Sequence, residues 1–427
     1  MRAGVSGVRG VVGGGLGPPE VAALCESFGA LAGAGRECAL GMDTRGSGPM
    51  LAGAASAALR ASGLDVRNLG VVPTPVVIRE SASAGCGVAV TASHNPAGWN
   101  GLKFAVGGRG IDASALRGAP ARAGPRHGRV GTERSAGGTY VRDALEELGG
   151  TAPGARVALD AGGGAAARTA RDVLEGAGCD VIEVRSARGP DPTSEGLGEL
   201  AAASESCDVG VALDLDGDRA VIARRGTRCA PDATLAAGVA WAIARGSRDV
   251  AASEDTSMAV NAIAKEAGAR VRTTMVGEAN VVDALEGTPC AIGGEGSSAG
   301  LVHPGFNLCR DGIVAAAIAA SMAVDGTLDG PLRAVSGLHR IREKVAAPAA
   351  QHGRIVEAVG EGMRGEFSEN VGIGGFKGTD GESTWLLVRG SNTEDAVRVS
   401  VESDDAVRAR RIAGMAREAV VGAARAS

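Results

Sequence analysis

Three aspartates spaced two apart carry the sharpest chemical signal in the chain: Asp214, Asp216 and Asp218, in the stretch DLDGDR. In an extended segment residues i, i+2 and i+4 project to one side, so the spacing predicts that the three carboxylates converge. Clustered carboxylates repel one another unless a cation sits between them. All-oxygen ligation suits Mg²⁺, which keeps coordination positions for water or a phosphate oxygen. An EF-hand is excluded on spacing, because Gly217 stands at the fourth loop position rather than the sixth and Arg225 at the twelfth. A solvated acidic turn is the plain alternative, but the valine-rich runs on both sides place the loop at a strand end.

Three further loops carry usable groups. RGSNTEDAVR supplies Arg389, Ser391, Asn392, Thr393 and Arg398, two guanidinium forks and two hydroxyls around a tight loop that can trap a phosphate dianion. Successive loop N–H groups would add to that trap. GGEGSSAG presents Glu295 and Ser297, a carboxylate and a hydroxyl able to hold vicinal sugar hydroxyls, although alone it reads equally as a turn. TASHNP holds Ser93 and His94. A serine is a poor nucleophile without a base, and no GxSxG elbow accompanies this one. The adjacent His94 is expected to turn its ring elsewhere and fix the loop. One chemistry uses an unactivated serine, an acidic loop and a distant phosphate trap together. If Ser93 is stored as phosphoserine, a cation at the Asp loop neutralises its charge and polarises phosphorus toward a sugar hydroxyl.

Two rival motifs are weaker. LDLDGD resembles the haloacid-dehalogenase nucleophile strand, but that family carries Thr or Val where Asp218 stands and places its motif near the N-terminus. DAGGGAAA fits a dinucleotide fingerprint through Gly162, Gly164 and Ala167, with Glu183 downstream. No second nucleotide-binding feature accompanies it, and the same glycines serve close strand–helix packing.

The elements that must position these loops alternate from end to end. ECALGMDTRGSG reads as a strand ending in a polar loop, followed by the helix MLAGAASAALRASG, which stops at Gly63. RVALDAGGGAAARTARDVLEGAGCDVIEV reads as strand, glycine turn, helix and strand, and Val397, Val399 and Val401 alternate in the last strand run. Alternation of this kind predicts an α/β fold with helices covering sheets, and ligand groups collected past the strand ends. Soft breaks lie at Arg117 to Gly138, Arg225 to Ala233 and Ala346 to Gly353.

Composition narrows the class further. The 427 residues are 44% hydrophobic but only 2% aromatic, with 69 glycines, so the cores must be built from Ala, Val, Leu and Ile. Few aromatic faces and a net charge of −5 exclude single-stranded nucleic-acid binding and a broad field for DNA or an anionic membrane. The eight cysteines lack metal-ligand or CxxC spacing and read as reduced thiols. The N-terminal stretch lacks an apolar signal region, and runs such as Ile313 to Val324 are too short to span a bilayer. A soluble, cytoplasmic protein is expected.

Together the motifs resemble the α-D-phosphohexomutase superfamily, in order and over nearly the whole chain. SGVRG looks like its N-terminal GxRG element with Arg9, TASHNP its phosphoserine loop with Ser93, and NGLKF its lysine segment with Lys103. DLDGDR looks like the metal loop, GGEGSS the sugar loop and RGSNTEDAVR the phosphate loop, and DTRGSGPML and GVVPTP are also family-like. The resemblance implies four domains around a central cleft, three similar mixed α/β domains and a smaller α+β C-terminal one, divided here at 1–135, 136–232, 233–345 and 346–427. It implies Mg²⁺ on Ser93, Asp214, Asp216 and Asp218, and transfer of phosphate between O6 and O1 of a hexose through a 1,6-bisphosphate. Arg9 and Lys103 would flank the phosphoryl group, with Lys103 a candidate for acid–base duty, His94 beside it and Arg219 next to the metal loop. Glu295 and Ser297 would hold the sugar, while Arg389, Ser391, Asn392, Thr393 and Arg398 grip the phosphate that is not reacting.

There are departures: Gly390, Asn392 and Asp395 replace the usual Pro, Gly and Pro, and Ser298 and Ala299 stand where many relatives carry a histidine. SGVRGVVG and VGEANVV resemble archaeal-type phosphoglucosamine mutases, with phosphomannomutase/phosphoglucomutase activity as the alternative. A silent sugar-phosphate-binding homologue and a phosphatase are the rivals from other classes. A monomer or homodimer acting on a small sugar phosphate, without nucleic acid or membrane, is expected.

Overall fold

With so few rings available, this chain brings alanine- and valine-lined helices close against its sheets. The computed structural model describes every residue except 1, 5–6, 117–126, 133–134, 150–151, 195, 289, 368, 392–394 and 426–427. Four sheets follow one another along the sequence.

The first comprises β1 (Arg2–Gly4), β2 (Gly7–Val11), β3 (Glu37–Met42), β4 (Asp65–Val71), β5 (Gly85–Val90), β6 (Trp99–Val106), β7 (Arg109–Gly110) and β8 (Val130–Thr132). Its order is β1-β2-β6-β5-β3-β4-β8, with β7 beside β6. Helices α1 (Pro18–Ala32), α2 (Gly48–Ala61) and α3 (Thr74–Ala84) connect its strands. Phe28 and Phe104, two of the five phenylalanines, pack with ring centroids 4.9 Å apart in its core.

The second sheet, order β10-β9-β11-β12-β13, contains β9 (Arg156–Asp160), β10 (Asp180–Glu183), β11 (Val209–Leu213), β12 (Ala220–Arg224) and β13 (Thr227–Arg228). Helices α4 (Ala136–Leu148), α5 (Ala167–Gly176) and α6 (Gly198–Ala203) accompany it. The third, order β15-β14-β16-β17, contains β14 (Asp249–Ser253), β15 (Arg270–Thr274), β16 (Ile292–Glu295) and β17 (Gly300–Val302). With it run α7 (Asp232–Ala244), α8 (Met258–Glu266), α9 (Glu278–Leu285), α10 (Gly312–Val324) and α11 (Asp329–Ser336). Helices α7 and α10 are buried along almost their whole length, which explains their lack of a polar face. No single described helix is long and apolar enough to cross a membrane.

The fourth sheet is antiparallel: β18 (His339–Ala346), β19 (Glu369–Asn370), β20 (Phe376–Thr379), β21 (Thr384–Gly390) and β22 (Ala396–Ser403), in the order β18-β22-β21-β20-β19. Its apolar face, with Val397, Val399 and Val401, packs on α12 (His352–Met363) and α13 (Ala406–Arg425). All eight residues of β18 pair with β22, so the expected break at 346 falls inside a strand. The chain enters the fourth sheet at His339 because the alternation of β18 belongs to that sheet. One apolar cluster joins helices and strands of the second and third sheets and reaches α3, whereas the cluster under the fourth sheet has no member before Ile341.

A shared device positions the site. The pairs β5–β6, β11–β12, β16–β17 and β21–β22 are each antiparallel, and the four chemistry-bearing loops are their turns. In the first three, the leading strand also pairs in parallel with β3, β9 or β14, so the turn lies past the carboxyl end of a parallel strand.

The metal loop is wedged against α10. Asp311 caps that helix by accepting from the N–H groups of Ile313 and Val314, and Gly312 N donates to the Gly217 carbonyl at 3.0 Å. A Cβ on Gly312 would lie 2.5 Å from the Arg219 carbonyl oxygen. Gly312→Ala should therefore cost about 1–3 kcal/mol in a urea melt, through displacement of the loop. Melting identical to wild type would mean that the loop can give way freely.

Candidate active site

Ser93 is fully buried and sits in left-handed backbone (φ 50°), a conformation that costs energy for any residue with a Cβ. The strain is held from both sides. Its N–H donates to Thr91 Oγ1 (2.8 Å), and its carbonyl accepts from Arg45 Nη2 (2.6 Å). The same guanidinium donates to the carbonyls of Asn95 (2.6 Å), Pro96 (2.8 Å) and Trp99 (3.0 Å), while Nε pairs with Asp43 (3.1 Å). One arginine thus gathers the whole loop. Asp43 also accepts from Thr91 (2.6 Å), and Arg9 Nη1 donates to Asn95 Oδ1 (2.9 Å) from the neighbouring strand.

The Ser93 hydroxyl donates to Asp214 Oδ2 at 2.7 Å, across 121 residues of sequence. His94 does not turn away as expected: its Nδ1 lies 3.3 Å from Ser93 Oγ. The positive charge of Arg219, burial and Arg9 together hold its ring neutral.

The three aspartates converge, with ligand-capable oxygens all within 4.8 Å of one another, and all three are buried. The convergence comes from a turn rather than an extended run: Gly217 is left-handed (φ 73°) and its N–H donates to the Asp214 carbonyl. Cations from elsewhere answer the charge. Lys103 Nζ lies 2.7 Å from Asp216 and 2.6 Å from Asp218, and Arg310 Nη2 lies 2.7 Å from Asp218. Thr74, at the N-terminus of α3, donates Oγ1 to Asp216 (2.6 Å), adding a hydroxyl and a helix dipole.

Burial opposes the ammonium of Lys103, but Asp216 and Asp218 outweigh it and raise its pKa. Burial likewise works against Asp218, yet Arg310, Lys103 and Arg219 hold it well below the usual carboxylate range. For Asp214 the balance reverses: burial, Asp218 and Asp216 push its carboxyl well above that range, outweighing Arg219 and the Ser93 hydroxyl. Asp216 Oδ1 and Asp218 Oδ1 are buried and accept no hydrogen bond from the described residues. Two orphaned carboxylate oxygens beside a third acid fit a hard divalent cation, so Asp214, Asp216 and Asp218 can hold Mg²⁺ with Ser93 alongside.

Glu295, on the sugar loop, is buried; Oε1 accepts from Gly277 N (2.7 Å) and Oε2 from Arg310 Nη1 (3.0 Å). Arg310 therefore bridges the metal loop and the sugar loop. Burial raises the Glu295 carboxyl, Arg310 opposes that, and Asp255 and Glu278 add to it. Ser297 Oγ donates to Asp255 Oδ2 (2.8 Å). Ala299 is left-handed (φ 56°), and His303 is turned away to Glu147 (2.9 Å) and Trp241.

On the fourth sheet Arg389 and Arg398 are directly paired across β21 and β22, so both face one side, with Ser391 just past the strand and its N–H on the Ala396 carbonyl. Burial lowers the pKa of the Arg389 guanidinium, opposed by the negative charges of Asp255 and Glu295. Gly390, a departure expected from the sequence, has a local reason: a Cβ there would lie 2.6 Å from His352 Nδ1. Asn392 and Thr393 lie outside the described residues. Arg340 reaches Asp232 (2.5 Å) and the Asp255 carbonyl, Lys377 donates to the Glu254 carbonyl (2.5 Å), and Glu402 accepts from Met258 N (2.7 Å).

The structure thus brings Ser93, His94, Lys103, Arg9, Arg219 and the three aspartates into one cluster, and Arg310 links it to Glu295. Reading the sequence residue by residue missed Arg310, Arg45, Thr74 and Asp255. Arg45 and Thr74 lie within family-like stretches, and Arg310 precedes a helix-capping Asp and an apolar run. Asp255 carries no local signal. The DAGGGAAA loop is a structural turn: Asp160 accepts from Ser186 and Arg188, and the Arg188 guanidinium covers Gly162, where a Cβ would lie 2.8 Å from Nη2.

Comparison with known proteins matches three family models: "Phosphoglucomutase/phosphomannomutase, alpha/beta/alpha domain I" over 1–116, "alpha/beta/alpha domain III" over 231–335 and the "C-terminal domain" over 340–419. A probable phosphoglucosamine mutase of Methanothermobacter thermautotrophicus is 32% identical, over 96% of this chain and 95% of its own. The phosphoglucosamine mutase of Nocardia farcinica is 30% identical, over 96% and 97%. The crystal structure of a putative phosphomannomutase from Thermus thermophilus superposes with a TM-score of 0.80 at 26% identity, covering 99% of both chains.

Two measurements probe this geometry. Asp214→Asn imitates the protonated acid and should fold normally. Magnesium chloride should raise the melting temperature of the wild type but much less that of the variant; equal shifts would remove Asp214 from the ligand set. Arg45→Lys keeps the charge but loses the fork, so kcat should fall roughly 10- to 100-fold with a small change in melting temperature. Arg45→Ala, which leaves Asp43 buried and unpaired, should instead cost on the order of 3–5 kcal/mol of stability.

Proposed function

Because the chain belongs to the phosphoglucomutase/phosphomannomutase superfamily and is a phosphohexomutase, we propose that it interconverts glucosamine 6-phosphate and glucosamine 1-phosphate. Transfer runs through phospho-Ser93 and a hexose 1,6-bisphosphate, which is both intermediate and activator. The observation that carries this reading is the buried contact between Ser93 Oγ and the aspartate triad, assembled from segments 121 residues apart.

In the forward direction the P–Oγ bond of phospho-Ser93 breaks as the O1 hydroxyl of the bound 6-phosphate bonds to phosphorus, and the proton O1 gives up balances the one taken by the departing Ser93 Oγ. After the bisphosphate turns over, Ser93 Oγ attacks the 6-phosphate and the O6 hydroxyl regains a proton, so no net phosphate is consumed. Asp214, Asp216 and Asp218 would hold Mg²⁺, which when bound would supply positive charge to the phosphoryl oxygens. Lys103 and Arg9 would add charge from the protein, and His94 Nδ1, 3.3 Å from Ser93 Oγ, would lie beside the hydroxyl that donates to Asp214. Arg219 borders the same charge. Glu295 and Ser297 accept and donate to sugar hydroxyls, and Arg389, Ser391, Asn392, Thr393 and Arg398 hold the distal phosphate.

Glucosamine is favoured by the two relatives named as phosphoglucosamine mutases and by SGVRGVVG and VGEANVV. A phosphomannomutase/phosphoglucomutase is the second reading, favoured by the Thermus thermophilus structure. Eight free cysteines suit a cytoplasmic enzyme, acting as a monomer or homodimer. The four sheets support domains over 1–135, 136–232, 233–338 and 339–427.

Ser93→Ala should abolish turnover and the single phosphate seen in intact mass while leaving sugar-phosphate binding nearly unchanged; residual turnover near wild type would refute Ser93 as carrier. Arg389→Ala should weaken binding by about 1.5–3 kcal/mol in calorimetry, and an unchanged affinity would move the phosphate site elsewhere. A kcat/KM panel over the 6- and 1-phosphates of glucosamine, glucose and mannose decides specificity. Comparable rates on glucose and mannose would overturn glucosamine.

A further inference from the structure

On the far side of the second sheet lies a feature the mutase chemistry does not use. The β12–β13 hairpin and α11 enclose a pocket of about 260 Å³. Arg224, Arg225 and Arg228 line it from the hairpin and Arg333 from α11, and among its lining residues Asp329 is the sole carboxylate. Asp329 is already shared between Arg224 Nε (2.9 Å) and Arg225 Nη2 (2.7 Å). Arg224 and Arg225 thus face one acid while Arg228 and Arg333 add their charge at the pocket wall, a surplus of cations whose self-repulsion an anion would relieve.

Two details show that the cations are aimed. Arg225 takes left-handed backbone (φ 50°) ahead of Gly226 (φ 79°) at the hairpin tip, where glycine or asparagine would sit without strain. Arg228 is anchored through Nη2 on the Thr193 carbonyl (2.6 Å), yet its buried Nε has no hydrogen-bond partner among the described residues. The pocket is also separate from the cleft. β12 leaves the metal loop at Ala220 and reaches the pocket at Arg224, a span of roughly 13 Å at about 3.3 Å per residue.

We propose that this pocket is a second anion site, built for a small phosphate-bearing ligand other than the substrate in the cleft. Planar forks in this number suit phosphate oxygens, and the volume suits pyrophosphate or a short phosphomonoester rather than a full nucleotide sugar. The site stands independently of the mutase reading.

Isothermal titration of the full chain with inorganic pyrophosphate, and separately with glycerol 3-phosphate, tests it against the double variant Arg225→Gly/Arg333→Ala. Glycine relieves the strained backbone and Arg333 lies on an exposed helix face, so the variant should fold and its basal turnover should stay within about twofold of wild type. The wild type should bind one equivalent more than the variant, or bind roughly tenfold or more tightly. Tighter binding of pyrophosphate assigns the pocket to inorganic phosphates, and tighter binding of glycerol 3-phosphate to phosphomonoesters. Equal stoichiometry and affinity in the two proteins would overturn the site. If the cleft proposal alone were wrong, the wild type would bind one equivalent and the variant none.

Discussion

The fold is organised around the cost of burying three carboxylates at one point. An unpaired ion moved into a protein interior loses several kcal/mol of hydration even after relaxation. Asp214, Asp216 and Asp218 avoid that cost only because charge and hydrogen bonds arrive from outside their own segment. Lys103 and Thr74 come from the first sheet and its helix, and Arg310 from the end of the third. The cluster is thus a meeting point of three sheets. Displacing any partner leaves charge behind, so these units are bound to one another by electrostatic necessity as well as by their continuous apolar core.

The same economy recurs in the loops. Each is a turn between antiparallel strands whose register is fixed by several ladder hydrogen bonds, so a side chain on it inherits the precision of the sheet. Where the backbone must depart from ordinary conformations, as at Ser93 and Ala299, surrounding groups over-determine it. Arg45 does this for Ser93 through four carbonyls, a task that only a planar, multiply donating cation can perform.

Much of this was legible in the sequence, and the failures have physical causes. The α/β alternation, the triad and the loops could be read because each is local: apolar periodicity, i, i+2 spacing and glycine punctuation all act within ten residues. His94 was misread because sequence adjacency says nothing of ring direction once a positive φ at Ser93 turns the backbone. The break at 346 was misplaced because proline and glycine after β18 are louder than the quiet alternation of His339 to Ala346. Arg310, marked only by the capping Asp311 and apolar run after it, and Asp255, with no local mark, were passed over, since each acquires meaning only from partners across the fold, Asp218 and Glu295 for the one, Ser297 and Arg340 for the other.

The seam between the third and fourth sheets has a different character. It is closed by Arg340 on Asp232, Lys377 on a carbonyl, Glu402 on a backbone N–H, and Glu254 accepting from the N–H groups of Ile373 and Gly374, while the apolar cluster of the fourth sheet stops short of it. Parting along such a seam would hydrate polar groups and uncover little hydrocarbon. Apolar exposure raises heat capacity and polar exposure lowers it, so opening along this seam would carry a small negative heat-capacity change, opposite in sign to that of unfolding any of the apolar cores.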